Sequence, residues 1–392
     1  MESPIIRSLL DTDLYKYTMQ QSMVNRYPAA YGRMVFRCRS NEPLNVPVEQ
    51  LRAQCDSLGT LHLSGDELNW LSGLPFVTPA FVDYLRDFSL DPQQLDIWQD
   101  DAGELHVEAE GNWAEITHFE IFVLAIVSEL HCRNSKGYSA STGKRLLREK
   151  TSFLRESLNR DNDSSFTLVD FGTRRRFSRE WQATVVEYLR SELPENFAGT
   201  SNLHLARTLG LKPVGTMAHE WLQSHQALGE SLLSSQKEAL LVWLEEYGNQ
   251  LGIALTDTIS MQAFLRDFDR SLACTYSGIR HDSGDPVHWG EQGLAHYRKL
   301  GIDPLTKQFV FSDKLDFVTA LDIHRHFSEQ VNVSFGIGTY LSNDMGAKAP
   351  NIVMKLVEIN DRPVAKLSDN PGKTMCRDEV YINRLKKIFA YS

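Results

Sequence analysis

The amino-acid sequence predicts an α/β fold, a large barrel-like domain joined to a smaller α+β domain, and three observations carry that expectation. A chain of 392 residues exceeds what one hydrophobic core organises, and 42% apolar content is that of a folded globular chain. From about Ile116 a cycle repeats, in which a short β-rich run leads into a polar, glycine-containing loop and then an amphipathic helix. Both ends of the chain have a different texture, alternating runs separated by short turns, which reads as antiparallel pairing.

In chain order, Arg33 to Arg39 places Met34, Phe36 and Cys38 on one face and Arg33, Arg37 and Arg39 on the other, the period-2 pattern of a half-buried strand. The segments around Leu51 and from Phe81 to Phe88 read as helices. Leu95 to Glu108 reads as a hairpin turning at Asp101-Ala102-Gly103. Residues 1–115 are therefore expected to form the α+β N-terminal domain.

The run Ile121 to Val127 is a core helix, far shorter than the roughly 20 apolar residues that cross a bilayer. Beyond it, SFTLVDFGTRRRFSREWQATVVEYLR shows the repeating unit well. A strand ends near Phe171, Ser178 caps a helix, and Trp181, Val185 and Leu189 recur at helical spacing. KPVGTMAHEWL, GIALTDTIS, TYSGIRHDSGD, KQFVFSDKLD and VNVSFGIGTY repeat the pattern, each an apolar strand running into polar groups. Successive units of this kind close most naturally into an irregular TIM-like barrel over residues 116–345, with the functional groups converging at one mouth. In the tail, residues 346–392, NIVMKLVEI and RPVAKLS flank a turn at Asn360-Asp361-Arg362 and are expected to rejoin the N-terminal domain.

The net charge of −10 argues against general affinity for nucleic acid or anionic membrane, so an anionic substrate must be held by a local pocket. Five scattered cysteines without a C-x-x-C pair suit a reducing compartment, are expected to be mostly buried, and offer no zinc cluster. The N-terminus lacks the basic start, apolar stretch and cleavage site of a secretory signal, so a cytoplasmic location is expected.

Four strand ends carry chemistry. DFGTRRR offers three guanidinium groups, Arg174, Arg175 and Arg176, to grip anionic oxygens, and which of them faces substrate is left open by the loop. IRHDSGDP groups Arg280, Asp282, Ser283 and Asp285 around Gly284, a cation, two carboxylates and a hydroxyl suited to a sugar phosphate with a metal. Gly336 and Gly338 free backbone N–H groups late in the barrel, although Leu341 stands where a dinucleotide fingerprint needs a third glycine. His219, between a strand end and a helix, is placed to act as nucleophile or base. A zinc-protease motif is excluded by Gln223, and a phosphate-cradling P-loop by the spacing from Gly137 to Lys144 and by Arg145.

Through LLDTDLYKYTM, VFRCRS, DFGTRRR, GTSN, VGTMAHEW, IRHDSGDP, FSDKLD, FGIGT and KLSDNPGKT, nine strings in order, the chain resembles the nicotinate phosphoribosyltransferase family along nearly its whole length. The resemblance implies a type II phosphoribosyltransferase that joins nicotinate to phosphoribosyl pyrophosphate with ATP as co-substrate, in a homodimer with shared active sites. It implies that His219 is phosphorylated and oriented by Asp257. Tyr15, from the partner subunit, and Phe171 would stack on the pyridine ring with Arg174 near its carboxylate, and Asp13 and Arg39 would reach the same site. Asn202, Arg280, Asp282 and Ser283 would line the ribose and pyridine region. Gly336, Gly338 and Thr339 would hold the 5′-phosphate, with Lys366 and Lys373 as further phosphate contacts. Mg2+ would be held mainly through substrate phosphates, with Asp282 or Asp285 as candidate ligands. Nicotinamide and quinolinate phosphoribosyltransferases share the plan. A different chemistry, a sugar-phosphate lyase or isomerase, would need a Schiff-base lysine, for which Lys212, Lys314 and Lys355 are candidates. A metabolite-binding protein without catalysis would need the reactive set broken, and His219, Arg280, Asp282 and Tyr15 are all present.

Overall fold

The computed structural model describes residues 3–40, 43–161, 164–369, 374–376 and 378–391. Two sheets organise them. The first is antiparallel, built from β1 (Tyr31–Cys38), β2 (Leu95–Gln99), β3 (Leu105–Asn112), β10 (Ile352–Ile359) and β11 (Arg362–Pro363) in the order β11-β10-β1-β3-β2. In β1 the alternation works as expected, with Met34 and Phe36 buried and Arg37 exposed; Cys38 is half-buried. Strands β2 and β3 form the expected hairpin, closed by Asp100, whose carboxylate accepts the N–H groups of Ala102 and Glu104. The tail strand β10 pairs with β1, Phe36 opposite Met354, and turns into β11 through Asn360 and Asp361, both at positive φ.

The second sheet is parallel: β4 (Leu168–Asp170), β5 (Phe197–Thr200), β6 (Ile253–Leu255), β7 (Gly278–His281), β8 (Gln308–Phe311) and β9 (Asn332–Ile337), in the order β5-β4-β9-β8-β7-β6. Five of these strands were legible as apolar runs, and β5 was not singled out. The strand expected in KPVG is reduced to a single parallel bridge, Thr200 to Pro213, because proline has no N–H to continue a ladder. This segment nevertheless fills the gap between the edge strands, since Val214 N–H donates to Thr200 O at 3.0 Å and Thr216 Oγ1 donates to Ile253 O at 3.0 Å. Gly199 permits the approach, for a Cβ there would lie 2.2 Å from Lys212 O. The barrel is thus irregular at one seam.

Between the two sheets runs the helix Phe119–Asn134, apolar on all sides and buried from Phe119 to Leu130. Ser178 caps the helix Arg179–Glu192 by accepting Trp181 N–H, and Trp181, Val185 and Leu189 are buried as expected. The tail does more than rejoin the first sheet. After β11 it crosses to the barrel, where Leu367 N–H donates to Thr258 O, and its last helix, Glu379–Phe389, packs Leu385 and Phe389 against Ile259 and Ala263. All five cysteines are free thiols; Cys55 and Cys132 are buried, Cys38 and Cys376 half-buried and Cys274 exposed, so the expectation that most are buried is corrected. Among the described residues no helix is long and apolar enough to cross a membrane.

Candidate active site

The carboxyl ends of the parallel strands open on one cavity of about 420 Å³. Part of its wall is assembled from the residues that follow five of the six strands: Phe171 after β4, Ser201 after β5, Asp282 after β7, Ser312 after β8 and Gly338 after β9. Asp13 and Tyr15, at the start of the helix Leu14–Arg26, complete it from the N-terminal side. The resemblance placed Tyr15 on a partner subunit; here Tyr15 reaches the cavity that holds Phe171 and His219 of its own chain. The reason is local. Asp13 pairs with Asn202 in a bridge and its carboxylate accepts Ser201 Oγ–H at 2.7 Å, which pins this turn onto the mouth of the same barrel.

His219 is the first residue of the helix His219–Leu228, where backbone N–H groups are free to meet an anion. Glu220 fastens that turn, accepting Lys16 Nζ at 2.6 Å and Trp113 Nε1–H at 2.8 Å. The imidazole is buried, and burial followed by the Lys366 ammonium brings its pKa down to about 4, so it is neutral at physiological pH. Nε2 lies 2.8 Å from Asp257 Oδ1 and 2.7 Å from Lys366 Nζ. Asp257 is held in turn by Lys366 at 2.8 Å and Ser283 Oγ at 2.5 Å through Oδ2. Burial alone would raise the Asp257 carboxyl, but Lys366 and His219 outweigh it and keep it ionised. Asp282, 3.7 Å from His219 Nε2, is likewise kept ionised at about 2, burial being outweighed chiefly by Lys366.

At the other end of the cavity, Arg174 faces Tyr15, Phe171 and a buried ion-pair network. Glu120 is 2.7 Å from Lys16, 3.2 Å from Lys355 and 3.8 Å from Arg174. Burial would raise Glu120, and the three cations hold it well below the usual carboxylate range. Lys355 is brought down to about 8 by burial, against the pull of Glu120. Arg280 also lines the cavity, and its Nε is buried without a partner among the described residues, a donor suited to a ligand anion.

The arginine triplet is now divided. Arg174 and Arg175 line the cavity, whereas Arg176 is buried in a bidentate pair with Asp11 at 2.7 and 2.8 Å. Other expectations are corrected by where side chains are committed. Asn202 caps the helix Leu203–Leu209 through its Oδ1 and donates to Asp11 through its Nδ2, so it lies behind the wall. Asp285 caps the helix Pro286–Lys299 and opens on a second, smaller cavity. Ser283 and Lys366 both bond to Asp257 and are not among the lining residues. Gly336 carries the Phe171 ring, and of the three residues expected at the 5′-phosphate Gly338 and Thr339 line the cavity. Arg39 stands outside the lining with its backbone N–H held by Asn351 O at 2.7 Å, and Lys373 lies outside the described residues. Glu120, Ser201, Ser312, Asp316 and Tyr340 line the site without having been singled out, and Lys314 and Lys355 had been raised only as lysines of a different chemistry. Glu120 is masked in sequence by the apolar run around it, whereas FSDKLD was recognisable as a strand-end loop.

The fit for a divalent cation rests on one residue. His219, Asp257 and Asp282 lie close enough to share an ion, but Lys366 occupies that cluster and repels a cation, leaving Asp282 as the carboxylate of that cluster that lines the cavity. A single carboxylate with substrate phosphates suits Mg2+.

Comparison with known proteins agrees with this arrangement. Residues 10–128 match the N-terminal domain model of the nicotinate phosphoribosyltransferase (NAPRTase) family, and residues 166–392 match the model of the family itself. Nicotinate phosphoribosyltransferase of Yersinia pseudotuberculosis is 51% identical over 391 residues, covering 99% of this chain and 97% of that one. The enzyme of the same name from Chromobacterium violaceum is 50% identical over 394 residues, covering 99% of this chain and 98% of that one. The crystal structure of nicotinate phosphoribosyltransferase from Vibrio cholerae superposes with a TM-score of 0.96 at 40% identity, covering 100% of this chain and 95% of that one. A putative nicotinate phosphoribosyltransferase from Saccharomyces cerevisiae gives 0.91 at 28% identity, with both chains fully covered. With two family models spanning most of its length and relatives at half identity, the chain belongs to the nicotinate phosphoribosyltransferase family.

Proposed function

We propose that the cavity joins nicotinate to phosphoribosyl pyrophosphate, forming nicotinate mononucleotide and pyrophosphate, and that ATP drives the reaction through a phosphorylated His219. The observation that carries the reading is the pairing, in one cavity, of two aromatic rings beside a cation, Tyr15 and Phe171 with Arg174, and a neutral, carboxylate-oriented histidine at a helix N-terminus.

The pyridine end accounts for the substrate. Among the described residues Lys16, Lys355 and Arg174 form one ion-pair network with Glu120 and Glu220, three cations to two carboxylates, so a ligand carboxylate completes it and a neutral carboxamide does not. Asp13, facing the same cavity, is pushed up by burial and competes less for the cations. Tyr15 and Phe171 hold the ring flat, and the ring nitrogen attacks C1 of the ribose while the bond to pyrophosphate breaks. No proton is transferred at the nitrogen. The chain contributes placement and charge: Arg280, Lys314 and the backbone at Gly338 and Thr339 face the anionic donor. Asp282 would hold Mg2+, which supplies charge neutralisation on the phosphates when bound.

At the other end, Asp257 accepts the Nε2–H of His219, leaving the Nδ1 lone pair to attack the terminal phosphorus of ATP with release of ADP. Hydrolysis of the phosphohistidine returns the free imidazole and inorganic phosphate. Of the lysines the lyase reading would use, Lys355 is paired with Glu120. The test is nucleotide formation from labelled nicotinate, phosphoribosyl pyrophosphate and Mg2+, with and without ATP, in the intact chain and in His219→Ala, with nicotinamide as control. Product from nicotinate that ATP increases only when His219 is present supports the reading; product from nicotinamide alone overturns the substrate, and none from either overturns the activity.

A further inference from the structure

His219 Nε2 has two neighbours that a neutral ring cannot satisfy together. Asp257 Oδ1, at 2.8 Å, only accepts; the Lys366 ammonium, at 2.7 Å, only donates. A neutral imidazole carries one N–H. With the proton on Nε2, the ring serves Asp257 and turns a second donor toward Lys366. With the proton on Nδ1, Nε2 accepts from Lys366 and turns a lone pair toward the carboxylate. The two neighbours select opposite tautomers, and only the first leaves Nδ1 nucleophilic.

Lys366 has more than one partner within reach of its ammonium. The backbone just before it is fixed to the histidine's own helix, for Gln226 accepts Ala365 N–H and donates to Ala365 O, both at 2.8 Å. Beyond that anchor the four-carbon side chain is intrinsically flexible. Its ammonium already has a second anchor in Asp257 Oδ2 at 2.8 Å, and Asp282, which lines the cavity, is 3.8 Å away. An anionic phosphate entering beside Asp282 and Arg280 offers the ammonium a stronger partner than a neutral ring nitrogen.

We propose that Lys366 is a positioning residue that gates His219 by selecting its tautomer. In the empty cavity the ammonium donates to Nε2, the proton stays on Nδ1 and the histidine is not a nucleophile. Bound phosphate draws the ammonium toward the cavity, the ring proton moves from Nδ1 to Nε2 by exchange with water, and Asp257 accepts it. No proton is gained or lost overall. The gate withholds phosphoryl transfer until a phosphorylated substrate is present, and in that function it rests on the phosphohistidine reading above.

The experiment is 15N and 1H NMR of the full chain labelled at histidine, with the His219 signals assigned by their loss in His219→Gln. The intact chain is expected to show the Nδ1–H tautomer, and inorganic pyrophosphate to convert it to Nε2–H. Lys366→Met is expected to show Nε2–H with or without pyrophosphate, and Lys366→Gln serves if the Met variant does not fold. An intact chain already in the Nε2–H form, no change with saturating pyrophosphate, or an Nδ1–H tautomer that persists without Lys366 each overturns the gate. Should both variants fail to fold, the pyrophosphate titration of the intact chain decides alone. Transfer of phosphate from ATP to the intact chain is measured in parallel. A tautomer change without any phosphorylation keeps the gate and overturns the phosphohistidine, whereas phosphorylation without a tautomer change does the reverse.

Discussion

The Phe171 ring lies against Gly336, 2.2 Å from where a Cβ on that glycine would be. The glycine is therefore tied to the proposed pyridine site through an aromatic ring and is not itself among the lining residues. Gly336→Ala must displace the ring, an overpacking that costs about 1–3 kcal/mol. We expect KM for nicotinate to rise about tenfold or more while KM for phosphoribosyl pyrophosphate stays within about twofold, since about 1.4 kcal/mol is a factor of ten. Steady-state kinetics with each substrate varied separately checks this, and equal rises in both constants would contradict it.

The adjacent arginines Arg174 and Arg176 separate function from stability. Arg176→Ala leaves the buried Asp11 carboxylate without its main partner, a loss of about 3–5 kcal/mol. Arg174→Ala faces the cavity and should change the denaturation midpoint little, while lowering kcat/KM for nicotinate about a hundredfold, a charged hydrogen bond being worth about 1.5–3 kcal/mol. Chemical denaturation and kinetics on the two variants distinguish them, and a reversed pattern refutes the division.

Tyr15 and His219 line one cavity of one chain. Tyr15→Ala and His219→Ala are each expected to lose activity, and mixing or co-expressing them should restore none. Recovery approaching a quarter to a half of wild-type activity would place Tyr15 in a partner's site.

Buried histidines set the acid limit of the fold. Burial brings His118 down to about 3 and His225 down to about 4, so both stay neutral in the folded chain and take up a proton on unfolding at pH below the unfolded value of about 6.5. Stability is thus full above that value and falls as pH drops toward the folded values, by up to about 1.4 kcal/mol per pH unit for each. Denaturant midpoints between pH 7.5 and 5 should show the slope, and His118→Gln should make it shallower by about that amount. An unchanged slope would exclude His118 as a source.

The strands and the residues that follow them were legible in sequence because barrel chemistry concentrates one or two positions past each strand end, as at Phe171, Asp282 and Gly338. What sequence left unresolved depended on direction and distance. Nothing in three consecutive arginines says that the third turns inward to Asp11. Asn202 adjoins a lining serine yet faces a helix terminus. Glu120 adjoins the apolar run Ile121 to Val127, and its partners Lys16 and Lys355 come from the two ends of the chain. The same holds for Lys366, whose contact with His219 spans 147 positions and exists only because the tail returns across the barrel.

Phosphorylation of His219 is the claim on which both the energetics and the purpose of the gate depend. The most direct measurement is transfer of label from γ-labelled ATP to the intact chain and to His219→Ala, followed by addition of phosphoribosyl pyrophosphate and nicotinate. The account predicts an acid-labile, base-stable phosphate on the intact chain alone, discharged when the substrates are added and nucleotide forms. Equal labelling of His219→Ala, or a label on the intact chain that survives turnover, would contradict it.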